Sequence, residues 1–412
     1  MASTDHGGDA GAERTGAERT EPGTPAKRGK LTYEAAGVKY DDIDPLKLDA
    51  QRAAADTARH LSEGGRPYRE VAESRGESAY VVDVGHDTCV ASIVECLGTK
   101  VLVADAMAEL VGRSFYDAVA QDTIAMAVND LITVGATPLV VQAYWGASGS
   151  EWFHDKQRAQ ALVRGWKRAC DACRVSWGGG ETPALQGVVA PGRVDLAASC
   201  TGVVRPRSRL TLGDALAPGD AIVILAASGI HANGVSLARS LAERLPEGYL
   251  TKVPAWHGGV SGAAEPAPGA TTTYGEALLV PTTLYPPVTE ALAAAGIVPH
   301  YACNITGHGW RKLMRHPKRL TYRVTRVPEK PPVLAFIQRE CQLDDREAYG
   351  TLNMGAGFAL FVAAADADRA VVVAERAGVR AVVAGRVEDG PKRVIIEPLD
   401  VTFGEEELRL RS

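Results

Sequence analysis

Residues 121–132, Gln-Asp-Thr-Ile-Ala-Met-Ala-Val-Asn-Asp-Leu-Ile, restrict the fold more than any other stretch of the chain. Ile124, Ala125, Met126, Ala127, Val128, Leu131 and Ile132 spread around the whole circumference of a helix. A helix that is apolar all round belongs inside a domain. Yet this one carries Asp122, Asn129 and Asp130. At about 100° per residue, Asp122 and Asn129 fall within roughly 20° of each other, and Asp130 lies roughly 80° further round. The spacing predicts that Asp122 and Asp130 point into one cleft. Buried carboxylates need a cation or a dense set of donors. A magnesium ion arriving with nucleotide phosphates is one solution, and a pair of acids capping the helix ends is the other.

The chain has room for two domains around such a helix: 412 residues, 46% hydrophobic and 23% charged, with 43 glycines. A net charge of −5 with no long basic run argues against a nucleic-acid surface. Seven cysteines are scattered, no apolar leader follows Met1, and every long apolar run is interrupted. These features point to a cytoplasmic enzyme with no membrane contact.

Residues 1–30 lack Val, Ile, Leu, Phe, Tyr and Trp and contain a tandem Gly-Ala-Glu-Arg-Thr repeat, so a disordered tail is expected there. A helix is expected over 44–62, then strands at 80–84, 89–94 and 100–104. The buried helix, a strand at 138–145 and a helix through Trp166 follow. The strand 195–204 closes a first domain, 31–204. The second, 205–412, opens with a turn and strand at 216–225 and has helices at 235–243 and 288–295. Further strands are expected at 320–324, 357–362 and 379–383, and a loop at 256–273. The class is α/β or α+β, with the boundary inside 205–209.

Several short motifs carry polar chemistry. Glu95-Cys96-Leu97-Gly98-Thr99-Lys100 places an acid, a glycine turn, a hydroxyl and a lysine between two predicted strands. It reads as a phosphate and metal turn, or as a hairpin with an exposed lysine. Gly178-Gly179-Gly180-Glu181-Thr182 offers backbone N–H groups beside a carboxylate, or a plain turn. Ser228-Gly229-Ile230-His231-Ala232-Asn233-Gly234 leads into a helix, and Asn304-Ile305-Thr306-Gly307-His308-Gly309 leads into a basic helix at 311–315. Such loops are ready anion sites, and two of them suggest a phosphorylated substrate. Cys170-Asp171-Ala172-Cys173 has no second pair at zinc spacing and reads as two packed thiols.

In order, these blocks resemble the phosphoribosylformylglycinamidine cyclo-ligase (aminoimidazole ribonucleotide synthetase) family, or a divergent paralogue of it. The resemblance begins at Leu31-Thr32-Tyr33-Glu34-Ala35-Ala36-Gly37-Val38 and continues through Glu95–Lys100, Asp122–Asp130, Gly179–Thr182 and Ser228–Leu237. It extends through Leu279–Tyr285, Thr306–Gly309 and Asn353–Gly357. It implies a two-domain fold whose N-terminal domain forms a β-barrel across a homodimer interface, beside a C-terminal α/β domain. It also implies ATP-dependent closure of formylglycinamidine ribonucleotide to aminoimidazole ribonucleotide, with Mg²⁺ carrying the ATP. By this resemblance Glu95, Asp122 and Asp130 hold the metal. Gly98, Thr99, Lys100, Asn129, Gly179, Gly180, Glu181, Thr182, Ser228, Gly229, Thr306 and Gly307 line the nucleotide and substrate, and Lys100, His231 and Asn233 are catalytic. Glu95-Cys96 stands where the family has Asp-Gly, His308 replaces a glycine, and no glycine-rich stretch precedes the 89–94 strand. Two alternatives follow: a related ATP-dependent enzyme with another substrate, and a catalytically silent nucleotide-binding homologue.

Overall fold

The computed structural model describes Leu31 and residues 40–408. The predicted tail and all of the opening Leu31–Val38 motif except Leu31 lie outside the described residues. The chain first forms helix α1 (Tyr40–Thr57) and strands β1 (Arg69–Glu70), β2 (Tyr80–Gly85) and β3 (Thr88–Cys96). Helices α2 (Lys100–Val111) and α3 (Tyr116–Leu131) come next, then β4 (Thr137–Ala147), α4 (Lys156–Cys173), β5 (Ser176–Glu181) and β6 (Val194–Val204). These strands form a six-stranded sheet in the order β1-β2-β3-β6-β4-β5, antiparallel except for the parallel pair β4–β5.

The second half opens with β7 (Ala221–Ala226) and α5 (Val235–Ala242). The short strands β8 (Lys252–Pro254) and β9 (Thr271–Thr273) pair with each other and are followed by α6 (Tyr274–Leu278) and α7 (Pro286–Ala294). Then come β10 (Tyr301–Asn304), β11 (Leu320–Val324), α8 (Pro332–Glu340), α9 (Asp345–Thr351) and β12 (Ala356–Val362). Helix α10 (Ala367–Arg376), β13 (Ala381–Asp389), β14 (Arg393–Ile396) and β15 (Val401–Gly404) complete it. The second sheet has seven strands, ordered β10-β12-β7-β13-β11-β14-β15. Its middle strands β7 and β12 are unbroken apolar runs because both faces are covered.

Helix α3 is the expected buried helix: every residue from Asp122 to Leu131 is inaccessible or nearly so. It packs on the first sheet, with α4 against its other flank. At Gly165 the two helices come so close that a Cβ would lie 2.3 Å from the Asp117 carbonyl oxygen. One element differs in kind from expectation. The run 100–104 is not a strand but the first turn of α2. A short apolar run is ambiguous between the two. Here the continuation Ala104-Asp105-Ala106-Met107-Ala108 supplies strong helix formers, and Gly98, with φ +74°, turns the chain ahead of them. The basic segment after Gly309 is likewise a 3₁₀ helix, Gly309–Met314. None of the described helices is long and apolar enough to cross a membrane.

Candidate active site

A cleft of about 1010 Å³ lies where the two halves meet. Strand β3 brings Glu95 to it and α3 brings Met126 and Asp130; the loop ahead of α5 contributes Asn233. The loop after β10 contributes Thr306, Gly307 and His308, and the 3₁₀ turn beyond it adds Lys312, with Arg315 following. Lys47 and Gln51 of α1 line one side, and the segment 74–78 forms another wall.

Charge in this cleft is dense. Burial pushes the Glu95 carboxyl up to about 7, and the Asp130 carboxylate pushes the same way, against Lys312, Arg315 and Lys47. Asp130 accepts a hydrogen bond from Asn304 Nδ2 at 2.7 Å. Burial lowers the Lys312 ammonium from its ordinary value, opposed chiefly by Asp130. His308, only 8% exposed, is pulled down to about 3, first by burial and then by Lys312 and Arg311. Its imidazole is therefore neutral near pH 7.

The 74–78 wall is fixed by charge. Arg315 donates to the Gly76 carbonyl from Nε at 3.3 Å and from its second amino group at 2.9 Å, and to Ser78 Oγ at 2.9 Å. It also faces Glu77 Oε2 at 3.4 Å, and the Tyr301 hydroxyl donates to the same oxygen at 2.9 Å. Ahead of the 89–94 strand, where the sequence has no glycine-rich stretch, the chain forms a cross-braced loop.

Of the site residues expected from the sequence, Glu95, Asp130, Asn233, Thr306 and Gly307 meet in the cleft, with Met126 and His308 beside them. The others go elsewhere. Asp122 and Asp130 do not share a cleft, because Asp122 is buried at the seam, its Oδ1 taking the hydrogen bonds and its Oδ2 held only by the Lys100 charge. Lys100 Nζ sits 2.9 Å from its Oδ1 and 2.8 Å from its Oδ2, and the Thr282 backbone N–H donates to Oδ1 at 2.8 Å, as does the Thr282 hydroxyl. Lys100 Nζ also donates to the carbonyls of His231, at 2.9 Å, and Val280, at 3.1 Å. Burial pushes the ammonium down and the carboxyl up, and their mutual attraction opposes both shifts. The pair is a sealed lock between α2, α3 and the second half.

The same seam takes up other candidates. Asn129 donates to the Thr283 carbonyl at 2.8 Å and accepts from the Tyr285 N–H at 3.0 Å. Thr99 Oγ1 lies 3.1 Å from Ser236 Oγ, after Gly98 in its exposed turn. Ser228 Oγ donates to the Pro281 carbonyl at 2.6 Å, and the Gly229 carbonyl accepts from Asn353. His231 is buried, with Nε2 accepting the Ser228 N–H at 3.1 Å, and burial together with Lys100 lowers its pKa to about 3. It caps its own loop and does not face the cleft. Gly179, Gly180, Glu181 and Thr182 are exposed on or just beyond edge strand β5 and do not line the cleft. Gly180 has a packing reason to be glycine: a Cβ would lie 2.1 Å from the Ala143 carbonyl oxygen on β4. The cleft residues missed in the sequence are Lys312, Arg315 and the 74–78 wall. The i, i+3 spacing of Lys312 and Arg315 after the Thr306-Gly307 loop was the available signal.

Comparison with known proteins extends over most of the chain. Residues 76–204 match the family described as "AIR synthase related protein, N-terminal domain", and residues 217–397 match its C-terminal domain counterpart. The phosphoribosylformylglycinamidine cyclo-ligase of Methanothermobacter thermautotrophicus is 33% identical over 371 residues, covering 89% of this chain and 97% of that protein. That of Carboxydothermus hydrogenoformans is 32% identical, covering 89% and 99%. Among solved structures, the hydrogenase maturation protein HypE superposes with a TM-score of 0.53 at 17% identity, covering 78% of this chain and 88% of that one. T. maritima PurL complexed with FGAR gives 0.52 at 16% identity, covering 88% of this chain and 52% of that one. Two α/β domains in this arrangement are thus a shared architecture, and the chain belongs to the AIR synthase related family, with the phosphoribosylformylglycinamidine cyclo-ligases among its relatives.

Proposed function

We propose that the protein is an ATP-dependent cyclo-ligase that closes formylglycinamidine ribonucleotide to aminoimidazole ribonucleotide, releasing ADP and phosphate. The observation that carries this reading is the convergence of Glu95, Asp130, Asn233 and the Thr306-Gly307 loop, from both domains, on one cleft. Near-complete coverage of the cyclo-ligases at 32–33% identity supports it. In the reaction the formyl oxygen attacks the γ-phosphorus of ATP and ADP departs. The amidine nitrogen then attacks the activated carbon, phosphate leaves with the oxygen, and the nitrogen loses its proton. Such chemistry asks the protein mainly for positioning and charge neutralisation.

The cleft fits a divalent cation held by few protein ligands. Glu95 and Asp130 face the same space, and burial first, with the Asp130 charge second, raises the Glu95 carboxyl. Mg²⁺ commonly takes one or two carboxylates and fills its other positions with water and phosphate. Those two residues would hold it, and it would neutralise phosphate charge when bound. Asp122, buried against Lys100 away from the cleft, has no part in this proposal. Asn233 and Thr306 orient the ribonucleotide. Lys100 and His231 act from behind the site, by fixing the loops on which those residues stand.

A homodimer is part of the proposal. Among the described residues no strand pairs with the outer side of edge strand β5, and Val94 and Leu139 of the first sheet are 70% and 48% exposed. Open edges and exposed apolar positions are features that a second copy covers. In that arrangement Gly179–Thr182 would meet nucleotide or partner rather than the cleft of one copy. A second reading, a related ATP-dependent enzyme with another substrate, is favoured by the braced 74–78 wall and by His308. The test is substrate-dependent ADP release by purified protein given formylglycinamidine ribonucleotide, ATP and Mg²⁺. Release above background is expected. Its absence with ATP binding intact would sink the cyclo-ligase and leave the second reading or a silent homologue.

A further inference from the structure

Among the described residues two lysines are buried, Lys100 at 0% exposure and Lys312 at 6%. An ammonium has three donors and is costly to remove from water unless they are satisfied. Lys100 meets that demand fully with a carboxylate and two carbonyls. Lys312 does not. Its Nζ donates to Thr306 Oγ1, and no carboxylate of the described residues lies close enough to pair with it. Nor is it turned away from ligands, since it lines the large cleft beside Thr306, Gly307 and His308. Asp130 and Glu95 face the same space from the other domain, near enough to influence Lys312 but beyond ion-pair distance. Between them is room for a group that satisfies both sides.

Arg315, the neighbouring cation, cannot be that group's main anchor, because its donors are spent on Gly76, Ser78 and Glu77. Lys312, by contrast, keeps donor capacity toward the cleft. Its hydroxyl neighbour Thr306 accepts from the lysine and can donate its own proton onward. Lysine beside a hydroxyl is a donor set suited to the compact charge of a phosphate. The opposing carboxylates suit the divalent cation that accompanies a phosphate and disfavour a bare carboxylate ligand.

We propose that Lys312, with Thr306, is the seat of a phosphoryl group in this cleft, and that ligand binding completes the hydrogen bonding of the Lys312 ammonium. The proposal rests on the reading of the cleft as a phosphate-handling active site, and not on ring closure itself. The phosphoryl group belongs either to ATP or to a ribose 5-phosphate moiety, and binding separates these sources. The full-length protein, with Mg²⁺ present throughout, is titrated calorimetrically with ATP and separately with ribose 5-phosphate. The Lys312→Gln and Lys312→Arg variants are treated identically. Gln is expected to weaken one of the two ligands tenfold or more and to leave the other within about twofold, with Arg recovering part of the loss. The weakened ligand names the source. Both ligands within twofold of the parent, in a Gln variant that melts normally, would overturn the seat, as would a parent protein that binds neither. A Gln variant that fails to fold while Arg folds and binds neither ligand would also overturn it, by making Lys312 a structural cation. Failure of the cyclo-ligase reading appears separately, as absent substrate-dependent ADP release with this binding pattern intact.

Discussion

Lys100 and Lys312 are both buried, both basic and both downstream of a glycine turn, yet they do different things. Lys100 is closed in by Asp122, His231 and Val280, with every strong contact coming from the protein itself. Lys312 sits at the edge of a large cleft with one hydroxyl partner. The lesson concerns how a buried charge is to be interpreted. Burial alone says that a compensating group exists, and the partner inventory says whether that group is the fold or a ligand. By that criterion the lysine that stands out in the sequence is held by the fold, and the lysine within the basic segment 311–315 is the one that lines the cleft.

The largest expected effect comes from breaking the sealed pair. Lys100→Met leaves Asp122 buried without its cation and should cost about 3–5 kcal/mol of stability. The fall in denaturant midpoint measures it. Asp122→Asn should also destabilise, whereas Asp130→Asn, at the cleft, should leave the midpoint nearly unchanged. Asp130→Asn should instead lose at least about tenfold in Mg²⁺-dependent ADP release, the scale of one charge-assisted contact of ~1.5–3 kcal/mol. If Asp122→Asn spared stability and removed turnover while Asp130→Asn did the reverse, the two acids would have to exchange roles.

Acid should attack the sealed seam next. His231 titrates at about 3 in the folded chain, because burial and the Lys100 charge disfavour its proton, against about 6.5 unfolded. Between those values the unfolded chain binds the extra proton, so stability is full above about 6.5 and declines as pH falls toward 3. The slope is at most ~1.4 kcal/mol per pH unit for this one group. In His231→Gln that part of the slope should vanish. His308, also held near 3, adds a separate contribution that the His231 variant leaves in place. A slope unchanged by His231→Gln would mean that burial and the Lys100 charge do not hold this ring neutral.

Much of the architecture was legible in the chain. The apolar circumference of residues 121–132 fixed α3 as interior, and the apolar runs within 216–225 and 357–362 marked strands of the second half. The 100–104 run was not legible, since four apolar residues in a row satisfy either period and only the following alanines decide. At the site, the motif blocks identified which loops matter but not which side chains on them reach the cleft. Angular position on a helix explains part of the failure: Asp122 and Asp130 are about 80° apart. That difference is enough for one to meet Lys100 and Thr282 across the seam while the other reaches Asn304 and open space. Whether a polar side chain is satisfied by a segment some 130–180 residues away, as with Lys100 and the carbonyls of His231 and Val280, is not written in local spacing.

The smallest effect is the sharpest test of the comparison. Lys312→Met keeps the length of the side chain and removes an ammonium that the ligand-free protein satisfies poorly. What is lost is one hydrogen bond to Thr306 and a favourable interaction with Asp130 and Glu95 across a gap. What is gained is relief from holding a charge with few partners out of water. These offset, so the ligand-free variant should unfold within about 1 kcal/mol of the parent. The same replacement at position 100 lacks the second half of that balance, because Lys100 has no unmet donors to relieve. Denaturation of both methionine variants without ligand, then with saturating ATP or ribose 5-phosphate, separates the two lysines. For Lys312 the difference from the parent should open only when the phosphate is present, since a ligand that binds the folded state adds stability in proportion to the logarithm of its occupancy. For Lys100 it should be present from the start. Equal losses for both variants in the absence of ligand would make Lys312 a second lock.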